Sequence, residues 1–252
     1  MNDSNDFYKT LSSFYHLIFE NWDTSINQQG KILSAILPNA IKEFPVLDCA
    51  CGIGTQALSL ATIGYQVVGS DISEDEIKRA KEEAIKRNLS IEFRVDDMRN
   101  LLSAQLNHYG AVIAMDNSLP HLKSDEDIIS ALTSMCHRLR KGGVLLLSLR
   151  DYEKLMREQP TFTEPKFYQD GPYKRIVHQV WDWQDERHYT LHLYITIDSK
   201  EGWKSFHFVG NYRAVTLEEV LNFAKNVGLI KLKVLNPSET GFYQPIIYGE
   251  KK

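Results

Sequence analysis

The chain has 252 residues, 43% of them hydrophobic and 25% charged, with a formal net charge of −4. That supports one large core with a modest accessory element, and it lacks the basic surplus of a broad nucleic-acid surface. No apolar run approaches the roughly 18–20 residues needed to span a bilayer, and the polar start Met1-Asn2-Asp3-Ser4-Asn5-Asp6 has no signal-peptide pattern. The expectation is a cytoplasmic protein whose partner is a small molecule, with no nucleic acid and no membrane; oligomeric state is not legible.

Residues 7–43 read as helical, with Phe14, Leu17 and Ile18, then Ile32, Leu33, Ile36, Leu37 and Ile41, at helical spacing. Asn21-Trp22-Asp23-Thr24 interrupts the pattern, and Asp23 or Thr24 is expected to cap the second helix. This segment precedes the first strand, so residues 1–44 are free to form a helical lid, with Tyr15 and Trp22 as candidate ligand contacts or, equally, core aromatics.

Val46-Leu47-Asp48-Cys49-Ala50-Cys51-Gly52-Ile53-Gly54-Thr55 then reads as a buried strand, a glycine turn and a helix start. Glycine permits the tight turn and lets a ligand approach bare backbone at the helix N-terminus. Cys49 and Cys51 lack the spacing and companion ligands of a zinc site, so no metal is expected and both read as small buried residues. Strand–helix alternation continues through strands at 65–70, 91–95, 111–114 and 144–149, with helices between them. The pattern predicts a doubly wound, mostly parallel sheet. Its strand ends carry Asp48, Asp71, Asp97, Asn117 and Arg150, where ligands of such sheets bind.

Residues 153–215 depart from this. Pro160, Pro165, Gly171 and Pro172 mark an irregular connection, and period-2 runs at 174–183, 189–198 and 203–213 predict a three-stranded antiparallel cover. Thr216 is placed to cap a final helix. Strands at 230–235 and 242–248 are too close for a crossover and must pair antiparallel. The expectation is a seven-stranded sheet with an antiparallel last strand, its ligand-binding domain made of residues 45–152 and 216–252.

Gly52-Ile53-Gly54-Thr55-Gln56-Ala57 also fits a dinucleotide pattern. Asp48 argues against it, because a carboxylate before the glycines repels a pyrophosphate and welcomes a cation. The Asp48–Gly54 segment, Asp71 after strand 2 and Asp97-Met98 after strand 3 together resemble class I S-adenosylmethionine-dependent methyltransferases. The resemblance implies that Asp48 and Gly52 lie near the methionine part of the cofactor, with Ala50 and Gly54 also among the cofactor-binding residues. Asp71 and Ile72 would sit at its ribose, Asp97 and Met98 at its adenine, and Met115 and Ser118 along the same pocket. Met115-Asp116-Asn117-Ser118-Leu119-Pro120-His121-Leu122 and Leu149-Arg150-Asp151-Tyr152 resemble the glycine/sarcosine N-methyltransferase group, whose motifs usually read L-G-N-S-F-x-H-L and H-R-N-Y. By that resemblance Asn117 and Arg150 bind an amino-acid substrate, Arg150 through its carboxylate, and His121 lies near the cofactor. Tyr152, Tyr212, Arg213 and Tyr243 are further candidates for the substrate pocket. Asp116 and Asp151 depart from the group's glycine and asparagine and add negative charge, which leaves room for a more cationic substrate. O-methylation of a small acid, a nicotinamide-dependent oxidoreductase and a cofactor-binding module without turnover are the alternatives.

Overall fold

The computed structural model describes residues 11–252. The start of the predicted first helix and the polar N-terminus lie outside the described residues. A seven-stranded sheet has strands β1 (Val46–Asp48), β2 (Val67–Asp71), β3 (Glu92–Val95), β4 (Tyr109–Ala114), β5 (Leu139–Ser148), β10 (Leu229–Leu235) and β11 (Ile246–Lys251). Their spatial order is β3-β2-β1-β4-β5-β11-β10. β1 to β5 are parallel, and β11 runs antiparallel to both β5 and β10.

The continuous apolar runs of β1, β4 and β5 follow from burial on both faces. Val46, Ile113 and Leu146 enter one core with α1 (Trp22–Ile36), α2 (Thr55–Thr62) and α3 (Glu74–Lys86). Their neighbours Leu47, Val112 and Leu147 point the other way, to α4 (Asp125–Arg138) and α6 (Leu217–Asn226). α3, α4 and α6 each start on a hydroxyl cap (Ser73, Ser124 and Thr216), and Thr216 with Glu219 completes a capping box. Chain order reverses between β1 and β4, and the ligand crevice of such a sheet opens at this switch.

Several elements differ from the sequence reading. The N-terminal segment is broken into a 3₁₀ turn at Tyr15–Ile18, α1, and a second 3₁₀ turn at Asn39–Glu43. Asn21 caps α1, its side chain accepting from Thr24 N–H at 2.9 Å, in place of Asp23 or Thr24. Part of the expected irregular connection is α5 (Tyr152–Glu158), capped by Asp151.

The cover has four strands, not three: β6 (Lys166–Asp170), β7 (Tyr173–Trp183), β8 (His188–Ile197) and β9 (Lys204–Arg213), in that order. β6 is a short, mostly exposed edge strand with no apolar alternation, so only its hairpin with β7 defines it. The last strand begins at Ile246 because residues 242–245 form a loop at the sheet's carboxyl edge.

Arg175 of β7, 2% exposed, joins the cover to the N-terminal segment. Its guanidinium donates to the carbonyls of Leu17, Phe19 (3.0 Å) and Glu20 (3.3 Å) and pairs with Asp170 at 2.7 Å. Among the described residues no helix is long and apolar enough to cross a membrane. Arg175→Met is expected to lower the unfolding free energy by about 2–4 kcal/mol, because three carbonyls and Asp170 lose the charged donor they share. A urea titration with an unchanged midpoint would show that this junction contributes nothing.

Candidate active site

The glycine turn is built by backbone geometry. Gly52 and Gly54 have φ of 51° and 95°, a region that side chains disfavour. A Cβ on Gly52 would lie 2.9 Å from Glu76 Oε2. Gly52 N–H donates to Asp71 Oδ2 at 2.9 Å, and Ser73 N–H donates to Asp71 Oδ1 at 3.0 Å, so the end of β2 holds the turn after β1. A cleft opens over this corner.

Of the residues predicted for the cofactor, Ala50, Gly52, Asp71, Ile72, Asp97, Met98, Met115, Ser118 and Tyr15 line the cleft. Asp48 lies behind its wall, completely buried, with the backbone amides of Ala50 and Ala57 as its nearest donors. Burial, with Asp116 and Asp71 nearby, pushes its pKa well above the usual carboxylate range. Gly54 forms the N-cap of α2.

Trp22 belongs to the core. Its Nε1–H donates to Thr55 Oγ1 at 2.9 Å, and the Arg87 guanidinium lies 5.0 Å from its ring. The three cysteines are buried and free, and burial pushes the Cys49 and Cys51 thiols up.

The loop after β4 carries two successive left-handed residues, Asp116 (φ 56°) and Asn117 (φ 65°). Asp116 N–H donates to Ser148 Oγ at 2.7 Å and Asn117 N–H to the Ser148 carbonyl at 3.1 Å, clipping the loop to β5. Asn117 is 3% exposed, and its amide works inward. Its oxygen accepts from Arg150 N–H at 3.1 Å, and its Nδ2–H donates to Tyr152 Oη at 2.8 Å. Tyr152 is fully buried and also hydrogen-bonds Tyr189 at 2.8 Å. Asn117 and Tyr152 therefore position Arg150 from beneath.

Arg150 is half-buried beside a ring of tyrosines. Its guanidinium lies 4.8 Å from the Trp181 ring and reaches Gln179 Oε1 at 3.4 Å, while Nη1 is buried without a partner. Among the described residues it forms no ion pair, with Asp116 and Asp151 included. Burial lowers its pKa, but Tyr189, Tyr152, Tyr212 and Tyr243 outweigh that and raise it overall. The cation is permanent, without a counter-ion of its own. His121 lines the cleft, its ring 4.3 Å from that of Tyr212. Burial, and then the Arg150 charge, push its pKa down to about 3.

Arg213, another candidate, is paired instead with Asp125 at 2.5 Å. Asp97, predicted at the adenine, is bound by Arg99 at 2.6 Å. Sequence reading missed Glu76, Gln56 and the pocket role of Asp116. Glu76 is 1% exposed and lines the cleft, with Oε1 unpartnered and a pKa pushed well up by burial and Asp71. Its place in a helix's first turn gave only a capping signal. Acids therefore dominate the glycine-turn end of the cleft. That charge suits a cationic sulfonium with an ammonium group and opposes a pyrophosphate.

Residues 46–143 match the methyltransferase domain family. The structure superposes on the S-adenosylmethionine-bound amino pentose methyltransferase CalS10 of Micromonospora echinaspora with a TM-score of 0.72, at 17% identity over 96% of this chain and 97% of that one. Residues 46–143 thus form a class I S-adenosylmethionine-dependent methyltransferase domain. The methyltransferase is 26% identical over 192 residues to a glycine/sarcosine N-methyltransferase of Aphanothece halophytica, covering 69% of this chain and 71% of that protein. It is 30% identical over 155 residues to a ubiquinone biosynthesis O-methyltransferase of Xanthomonas campestris, covering 58% and 62%.

With a pKa near 3, His121 is neutral at every physiological pH. The unfolded chain binds the extra proton, so stability is full above about pH 6.5 and declines below it. Imidazole ¹⁵N shifts of the folded methyltransferase are expected to show His121 neutral from pH 8 to pH 5; a midpoint near 6.5 would contradict its burial.

Proposed function

We propose that this methyltransferase methylates the nitrogen of a small amino acid or a related carboxylate-bearing amine. The observation that carries the reading is Arg150: a half-buried guanidinium with an unpartnered Nη1 and no acidic partner among the described residues, set amid tyrosines beside the cleft. Leaving a desolvated charge uncompensated is costly. A substrate carboxylate would restore the balance and accept from the guanidinium fork. The relative from Aphanothece halophytica, named for glycine and sarcosine, supports the nitrogen acceptor.

When bound, S-adenosylmethionine supplies a methyl group already activated on a sulfonium. The chain's task is to align and desolvate, which is worth several kcal/mol. Asp71 keeps lone pairs for ribose hydroxyls beyond its bonds to Gly52 and Ser73. Asp97 and Met98 would flank the adenine. Asp48 and Glu76, both buried and neither paired with a cation among the described residues, would set the negative potential that a cationic donor needs. Asn117 and Tyr152 act through Arg150 as positioning residues. Tyr15 lines the cleft and would help exclude water from it.

The test is Arg150→Met, with Arg150→Lys beside it, assayed against amino acids and hydroxy acids. The expected result is a KM for the amino acid raised at least about a hundredfold, as for loss of a buried charge pair, with S-adenosylhomocysteine affinity within threefold of wild type. Amidating the substrate carboxylate should cost wild type as much and cost Arg150→Met nothing more. An unchanged KM removes the carboxylate anchor, and methylation confined to hydroxyl acceptors replaces the nitrogen reading with the oxygen one.

A further inference from the structure

Asp116 is the charged group at this site that the reading above leaves unused. It holds a left-handed backbone conformation that an L side chain adopts only at a cost, yet it places a carboxylate in the cleft wall. Oδ2 accepts from Gln56 Nε2 at 2.9 Å, and Oδ1 accepts from the Tyr243 hydroxyl. Both donors are neutral, and Gln56 Nε2 is shared with Gln29 Oε1 at 2.7 Å. No lysine, arginine or histidine among the described residues forms an ion pair with Asp116.

The site thus contains an anion without a cation and, in Arg150, a cation without an anion. The Tyr243 hydroxyl is within the electrostatic reach of both, yet the two do not pair. Two desolvated charges held apart around one phenol describe the complement of a zwitterion.

We propose that Asp116 binds the substrate's ammonium group while Arg150 holds its carboxylate, and that Asp116 accepts the ammonium proton before methylation. This deepens the proposed function and rests on its nitrogen acceptor. An ammonium nitrogen has no lone pair to give. One N–H bond breaks, its electron pair stays on nitrogen as the lone pair that attacks the methyl group, and the proton goes to an Asp116 oxygen. Gln56 and Tyr243 leave each oxygen a further lone pair, so the carboxylate can accept without losing its supports. The methylated product is again an ammonium, and Asp116 returns its proton to solvent at the mouth, where the Tyr243 ring is exposed.

His121 is the other titratable group at hand, and burial leaves it a poor proton acceptor. Burial acts on Asp116 in the opposite sense and raises its pKa, against the pull of Tyr243 and Gln56. The groups that face it are Asp48 from β1, Tyr15 from the N-terminal turn, Gln56 from α2 and Tyr243 from the C-terminal loop, with Arg150 beyond. The ionised form is the working one. Substrate binding and turnover therefore weaken as pH falls through the raised pKa.

The experiment uses Asp116→Asn, a close isostere, and Asp116→Gly, which relieves the backbone strain and keeps the turn. The probes are the proteinogenic amino acid that wild type methylates fastest and the same acid lacking its amino group. Binding is measured calorimetrically at saturating S-adenosylhomocysteine. Both variants should bind the amino acid at least thirtyfold more weakly, bind the deamino acid within threefold of wild type, and bind S-adenosylhomocysteine within threefold. The acidic limb of kcat/KM should disappear from the variants. Equal losses for the amino acid and its deamino partner would make Asp116 a structural residue and overturn the proposal, as would an unchanged acidic limb. Wild type that methylates no amine overturns the nitrogen reading itself, a result read without either variant.

Discussion

The site depends on a short piece of strained backbone. Two consecutive left-handed residues after β4 turn the chain so sharply that Asp116 and Asn117 project in different directions. Each such residue costs on the order of 1 kcal/mol, and the turn persists because Ser148 binds both amides. Ser148 is itself oriented by Gln244 at 2.9 Å. One side chain then serves the cofactor cleft, and the other reaches under the cover to fix Arg150. A straight exit from β4 would put both functions on one face of the sheet and leave the substrate end without its floor.

Antiparallel β11 is what makes this support possible. Ile246 pairs with Ser148, so the start of β11 lies beside the end of β5. The preceding loop is thereby delivered to the carboxyl edge of the sheet, where Gln244 meets Ser148 and Tyr243 meets Asp116. A parallel strand would have put that loop at the opposite edge. The same logic brings in the other end of the chain. Arg175 fastens residues 17–20 to β7, and the adjoining Tyr15 lines the cleft. Three segments far apart in sequence thus converge on one site.

What could be read from the sequence follows from how local each signal is. The β1 turn, the parallel strands and the acids at the strand ends were legible because apolar runs and glycines report directly on backbone and burial. Thr216 was legible as a cap for the same reason. β6 was not, since an exposed edge strand carries no burial pattern and exists only through its pairing. Trp22 was ambiguous because an aromatic at a helix start suits a lid and a core equally; its bond to Thr55 decides for the core. Asn117 was assigned to substrate by resemblance, and the geometry shows its amide engaged by Arg150 and Tyr152. Gln56 and Glu76 were invisible, for their meaning lies in neighbours 60 residues away or across the turn.

The cleft is organised by charge from one end to the other. Near the glycine turn, Asp48, Asp71 and Glu76 are buried and their pKa values are raised, mainly because water has been removed from them. Such a set repels itself until a cation arrives, and a sulfonium carrying an ammonium group brings two positive charges to it. At the far end the sign reverses: Arg150 is surrounded by phenols and an indole rather than carboxylates. Asp116 stands between these regions, bonded to α2 on one side and the C-terminal loop on the other. A neutral acceptor would leave both Asp116 and Arg150 uncompensated after the cofactor had balanced the rest. The proposed zwitterion would compensate both, with its nitrogen on the side of the pocket nearer the glycine turn. On the proposed reading, the charge pattern would select the acceptor and orient it through the same two residues.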